Sequence, residues 1–383
     1  MLNQNRQPLI TVITSYYNDQ DFLADAIQSV LSQTYQNFEY ILVNHASEDR
    51  SRAIAHSFKD SRIRHIDLPF NYGASGNILV KKGLEIAHGS YIKLLCADDV
   101  LLPNALEILW DTACRNQADL VFGDVLFADK HLRPTGKTWF KNRFSPLAES
   151  SQYIPALLSG TSCFPYAGNL IKRTAFYDIN LDYISVQVAD VGMWLEILLN
   201  GGHLSVLEQP VALYRIHEQQ TCSASQIATI RTRCLFEYPL YLQHYFQAHP
   251  SLELLKKAYP HNTFLKKLSS TDTDLFPFVL AYELHQQANP EIQFVARWQM
   301  ASMLNNYALQ KRIEQKLGYT IKDLRKIILN HPIHLGNARN PLCKEASLKS
   351  LSYYFFRKII HILLFKTYRD NRKQLKNQEE GIV

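Results

Sequence analysis

The chain has 383 residues, 46% hydrophobic and 20% charged; this predicts a folded protein with more than one domain and excludes a disordered or fibrous chain. Its formal charge of +6 is concentrated at one end, since residues 349–383 hold eight Lys or Arg against Asp370, Glu379 and Glu380. The rest is close to neutral, which argues against nucleic acid as a partner. Six cysteines lie scattered without a CxxC pair, so neither a disulfide framework nor a structural zinc site is indicated, and a reducing, intracellular setting is expected.

The opening MLNQNRQPLITV has no basic segment leading into a long apolar stretch, so no secretory leader is predicted. Residues 9–15 (LITVITS) form an apolar, β-branched run that reads as a buried strand. Phe22, Leu23, Ala26, Ile27, Val30 and Leu31 then recur at helical spacing. Strands are predicted at 38–43, 63–68, 91–95 and 120–127, with helices over 49–58, 78–87 and 101–115. Pro103 is tolerated in the first turn of the last of these. Strands alternating with helices of this length predict a mostly parallel sheet covered on both faces. Ligands of such sheets collect beyond the carboxyl ends of the strands, where NHASED after the second strand and CADD after the fourth both belong.

Residues 131–165 are irregular, with Gly136, Pro146, Pro155, Gly160 and Pro165 as breaks. A short strand over 169–173, a helix over 186–200 ended by Gly201 and Gly202, and strands at 203–207 and 211–216 follow. Beyond about 225 the strand-like runs stop, and helices are predicted at 226–247, 275–288, 291–317 and 321–330. The expected division is 1–222, 223–345 and a tail over 346–383.

The segment KLLCADDVLLP sets Asp98 and Asp99 side by side after an apolar run. Adjacent carboxylates repel unless a cation or a polar ligand sits beside them. The two readings are a ligand site and an acidic turn capping the helix near Pro103.

Five segments, in order, resemble the family 2 inverting nucleotide-sugar glycosyltransferases of the bacterial surface-polysaccharide type. They are ITVITSYYN, LVNHASED, NYGASGN…KKGLEIAHGSYIKLLCADD, AGNLIKRTAF with the helix opening ADVGMW, and ALYRIHEQQTCS. The resemblance covers roughly residues 8–217. It implies a GT-A fold: an α/β protein with a mostly parallel central sheet in an α/β/α sandwich, followed by a smaller all-helical region. It also implies a nucleotide-diphosphate sugar as donor, expected to be UDP-linked, and Mn²⁺ or Mg²⁺ as cofactor.

Residue by residue, the resemblance places the metal on Asp99, with His217 completing its shell, and turns Asp98 toward the ribose or the sugar. Aspartate oxygens are hard ligands suited to such ions. Asp190 becomes the base that deprotonates the acceptor hydroxyl, against the plainer reading of an N-cap residue; Ala189 stands where an acidic residue is usual. Tyr16, Asn18, Asp19 and Ser47 are nucleotide contacts. Asn44 and His45 stand where two aspartates are common, Ala46 replaces a glycine and Cys96 replaces an acidic residue. Asn and neutral His each still offer a donor and an acceptor to a base. Asn71 and Asn77 are pocket residues, although Asn71-Tyr72-Gly73 also reads as a simple turn. Arg215 and His217 share one side of a strand by their period of two, and either could approach the pyrophosphate. Asn169 and Trp194 are candidates for the acceptor side, with core packing the alternative for Trp194.

The tail segment SLSYYFFRKIIHILLFKTY is broken by Arg357, Lys358 and His361, too often for a membrane span. Its aromatic and basic character suits a helix lying in an anionic membrane surface, or one packed on the body or on a partner subunit. The function expected is transfer of a sugar to a glycan or lipid-linked acceptor, in the cytoplasm or on the inner face of its membrane. The alternative is an inactive nucleotide-sugar-binding or scaffold subunit of the same fold. A nucleotidyltransferase would want a glycine-rich basic loop after the first strand, and YYNDQDF offers none.

Overall fold

A computed structural model describes residues 9–330, apart from 74–75, 182–184, 187, 219, 221–226 and 248–249. The tail expected over 346–383 lies outside the described residues. The chain divides into two compact units: residues 1–244 with 250–261, and residues 245–249 with 262–383.

The first unit opens with β1 (Ile10–Tyr16), α1 (Leu23–Leu31), β2 (Phe38–Asn44), α2 (Ser51–Ser57), β3 (Ile63–Asp67), α3 (Gly76–Leu84) and β4 (Tyr91–Cys96). Ile10, Val12, Tyr40, Leu42, Ile92 and Leu94 are all fully buried, as continuous apolar runs in a covered sheet should be. Along α1 the buried Leu23, Ala26, Ile27 and Val30 follow the helical spacing. The unit continues with β5 (Val100–Leu101), α4 (Ala105–Arg115), β6 (Leu120–Ala128), β7 (Pro134–Thr138), α5 (Trp139–Asn142), α6 (Ile154–Leu158), β8 (Asn169–Lys172), α7 (Ala189–Leu199) and β9 (Leu204–Arg215). Helix α8 (Ile227–Gln247), up to His244, and α9 (Leu252–Ala258) group with this unit.

The strands join in one mixed sheet of order β3-β2-β1-β4-β8-β6-β9-β5, with β7 added on β6. Its first four strands are parallel, as the alternation of strands and helices predicted. β8 then runs antiparallel to both β4 and β6, while β9 is parallel to β6. Two predicted closing strands are therefore one strand, β9. Its register against β6 shifts at Gly123 and Asp124, beside Pro210, a residue that cannot donate to the ladder. The helix predicted from residue 101 starts later, because Val100 and Leu101 pair with β9 instead. β7 was not anticipated.

The second unit holds α10 (Phe276–Leu284), α11 (Pro290–Asn305), α12 (Tyr307–Leu317) and α13 (Ile321–Asn330). The single helix predicted over 291–317 is split because Asn306 leaves the helical region and caps α12 with its side chain. Buried Phe278, Ile292, Met300, Leu304, Ile313 and Leu324 form its core.

Candidate active site

Parallel register sets the ends of β1, β2 and β4 abreast, pairing Tyr16 with Asn44 and Ser15 with Cys96. A cleft of about 910 Å³ opens beyond them, at the edge where ligands of α/β sheets bind. One wall comes from the loops after these strands: Tyr16, Tyr17, Asn18, Asp19, His45, Asn71, Asn77, Cys96 and Asp98. Trp139, Arg143, Phe164, Tyr166, Asp190, Tyr214 and His217 line the cleft as well.

The first two loops are stitched together by Asn18. Its N–H donates to Ser47 Oγ at 3.2 Å, and its Oδ1 accepts from Glu48 N at 2.9 Å. Ala46 has φ 58, a left-handed conformation in which glycine costs least. Asn44 is 2% exposed and spent inside the fold, accepting from Ser47 N at 2.9 Å and donating to Asp67 Oδ1 at 3.0 Å. His45 is the next residue and does line the cleft. Its Nε2 accepts the Tyr72 N–H at 2.7 Å, and burial lowers its pKa, so it is neutral with its proton on Nδ1. Asn77 is fully buried on the cleft wall with neither side-chain polar atom paired. A buried polar group of this kind is what an absent ligand would satisfy.

Acidic groups converge at the floor. The ligand atoms of Cys96, Asp98 and Asp99 lie within 4.8 Å of one another. Burial raises the Cys96 thiol, and Asp98, Asp99, Asp19 and Asp190 raise it further. Asp98 faces the cleft, with its Oδ2 3.0 Å from His217 Nε2. Asp99 is 1% exposed and turned inward, where its Oδ1 accepts the Arg215 N–H at 3.0 Å. Asp19 is pushed up to about 6 by burial, with Asp98 and Asp49 contributing.

Asp190, which also lines the cleft, is the second residue of α7 and not its N-cap, which is Val188. Amides of Asp190 and Val191 hold its carboxyl down, but burial outweighs them and pushes it up to about 6. The helix start beneath it is clamped. Ser185 Oγ donates to Glu237 Oε2 at 2.7 Å, and Val188 N donates to both oxygens at 3.2 and 3.3 Å.

A model of the domain described as glycosyl transferase family 2 matches residues 11–179. The putative teichuronic acid biosynthesis glycosyltransferase TuaG of Bacillus subtilis is 35% identical over 215 residues, covering 55% of this chain and 81% of TuaG. The chain belongs to glycosyl transferase family 2. Glycosyltransferase GlyG of Streptococcus pneumoniae is 34% identical over 118 residues, 30% of this chain. WfgD of Escherichia coli, a UDP-Glc:α-D-GlcNAc-diphosphoundecaprenol β-1,3-glucosyltransferase, is 31% identical over 116 residues, again 30% of this chain. This family 2 chain spans 38% of the length of GlyG and 45% of WfgD.

Several residues of the family 2 site sit elsewhere than the motifs implied. Asp98, not Asp99, shares the cleft with His217, because the pairing of β5 with β9 draws Asp99 under the backbone of Arg215. Arg215 is 2% exposed and does not reach the cleft wall. Its guanidinium donates to the carbonyls of Asp98 and Lys130 at 2.8 and 2.7 Å and to Asp25 Oδ2 at 2.9 Å. Asn169 is fully buried and exchanges both hydrogen bonds with Leu94 at 2.9 Å, tying β4 to the turn at Tyr166. Trp194 is core, 1% exposed and edge-on to Phe122. Sequence reasoning missed the aromatic wall of Trp139, Phe164 and Tyr166, which comes from the irregular region where no period or motif marks it. Tyr214 lay inside the quoted ALYRIH segment, and its alternation with Ile216 put it on the face opposite Arg215.

Proposed function

We propose that this chain transfers a sugar from a nucleotide-diphosphate sugar, UDP-linked, to a hydroxyl of a glycan or lipid-linked acceptor in surface-polysaccharide synthesis, inverting the anomeric centre. One observation carries the reading: the Asp98–His217 pair and Asp190 line one cleft at the carboxyl edge of the sheet. What TuaG and WfgD act on supports the substrate class.

The donor's nucleotide fits against Tyr16, Asn18, Asp19 and His45, with Ser47 behind them holding Asn18, and Tyr17 and Tyr72 supply aromatic faces around His45. Asp98 and His217 offer a carboxylate oxygen and an imidazole nitrogen, and a cation there would offset the carboxylates gathered in the cleft. That set fits Mn²⁺ or Mg²⁺, which when bound supplies positive charge to the departing diphosphate. Asp190 accepts the proton of the acceptor hydroxyl as that oxygen attacks the anomeric carbon from the face opposite the diphosphate. A carboxyl raised to about 6 is a stronger base than an ordinary aspartate and is still ionised at neutral pH. The aromatic wall gives the acceptor sugar an apolar face and excludes water.

Among the described residues no helix is long and apolar enough to cross a membrane. The aromatic and basic sequence of the tail over 346–383 supports it as the membrane contact, holding the enzyme at the inner face beside a lipid-linked acceptor. The deciding experiment incubates the full chain with a panel of UDP- and GDP-sugars, with Mn²⁺ or with chelator, and measures release of nucleoside diphosphate. Metal-dependent turnover that Asp190→Asn abolishes is expected. No turnover with any donor, or turnover indifferent to Asp190, would defeat the reading.

A further inference from the structure

The cleft is lined by three carboxylates, Asp19, Asp98 and Asp190, yet among the described residues lining it there is one lysine or arginine. Arg143 follows α5, and its guanidinium carbon lies 4.6 Å from the ring centre of Trp139, 4.8 Å from Phe127 and 5.7 Å from Tyr214. Those rings are firmly placed. Trp139 and Phe127 are buried, Trp139 Nε1 donates to Cys163 O at 3.1 Å, and α5 is pinned by Asp124 Oδ1 accepting Phe140 N at 3.1 Å. The aromatic faces hold the flat cation without using its N–H groups. Its side chain makes no hydrogen bond or ion pair with a described residue, although it is one of the few groups here built to grip two oxygens at once.

Tyr214, whose ring Arg143 overlies, lines the same cleft as Asp98, so the guanidinium shares one cavity with the carboxylate that a diphosphate would meet. We infer that Arg143 is the anion-binding residue of the cleft, and that the anion it grips is the diphosphate of the donor and of the departing nucleotide. This rests on the nucleotide-sugar reading above. A preplaced guanidinium would offset the charge that grows on the diphosphate as the sugar leaves.

The test is calorimetric titration of the full chain, as wild type, Arg143→Gln and Arg143→Lys, with UDP, CDP and GDP and with the matching nucleosides. Each titration is run with Mn²⁺ and with chelator, and circular dichroism checks that each variant is folded. The expected result is roughly tenfold weaker binding of the nucleoside diphosphate by Arg143→Gln, with nucleoside binding unchanged. Arg143→Lys should fall between, because it keeps the charge and loses the fork. Diphosphate affinity within twofold of wild type in Arg143→Gln overturns the inference and turns the residue toward an acidic acceptor. A wild-type chain that binds none of the three nucleotides instead overturns the nucleotide-sugar reading itself.

Discussion

Asp190 is tied to two measurements of opposite sign. Its carboxyl is pushed up to about 6, so the rate should fall as pH drops through that value and the base takes up a proton. Asp190→Asn should lower turnover by about 10²- to 10⁴-fold, the usual worth of a general base, while leaving donor binding intact. Stability runs the other way. A carboxyl whose folded pKa lies above its unfolded value binds its proton more tightly in the native state, so stability declines as pH rises from about 4 to 6. Asp190→Asn should therefore melt higher than wild type at pH 7.5, with the two curves converging near pH 4. Thermal melts across that range check the sign. Asp98 and Asp99 make a second contrast, since only Asp98 faces the cleft. Asp98→Asn should lose the Mn²⁺-dependent tightening of nucleoside diphosphate binding, and Asp99→Asn should keep most of it because an amide oxygen can still accept the Arg215 N–H. Titration of both variants with and without metal separates them; equal losses would return the ion to Asp99.

At the scale of elements, the site depends on β9 as much as on the motif it carries. Arg215 joins the end of β9 to the carbonyls of Asp98 and Lys130 and to Asp25 on α1. Arg215→Met should cost about 2–4 kcal/mol in chemical denaturation, chiefly from the lost charge-assisted hydrogen bonds to the part-buried carbonyls of Asp98 and Lys130. The lost ion pair adds little, because Asp25 is 51% exposed and can return to water. A residue that acted only on substrate would leave the denaturation midpoint unmoved. The strand alternation placed Arg215 and His217 on one side correctly, but it could not say that the first is sealed inside and the second opens to the cleft. That outcome follows from β5 pairing with β9, a contact between segments more than a hundred residues apart. Elements with strong local periods, from β1 to β4, were legible in advance for the converse reason.

For the whole molecule, the open matter is where it works. Residues 331–383 carry most of the net charge, and the full chain should sediment with vesicles rich in phosphatidylglycerol. Binding should weaken at high salt and disappear in a chain ending at Asn330. Equal sedimentation of the shortened chain would move the membrane contact into the described residues.

Order and spacing along the chain were enough to establish the family, the alternating first half of the sheet and the set of carboxylates at its edge. These are local matters: a period of two or 3.6 and a turn's side chains are written in neighbouring residues. Which member of Asp98 and Asp99 meets the cleft, which polar residues are consumed in the core and which aromatic residues line the cleft were decided only by the tertiary structure. Each of those depends on strands and loops far apart in sequence closing on one another, and burial then sorts adjacent side chains into buttress or site.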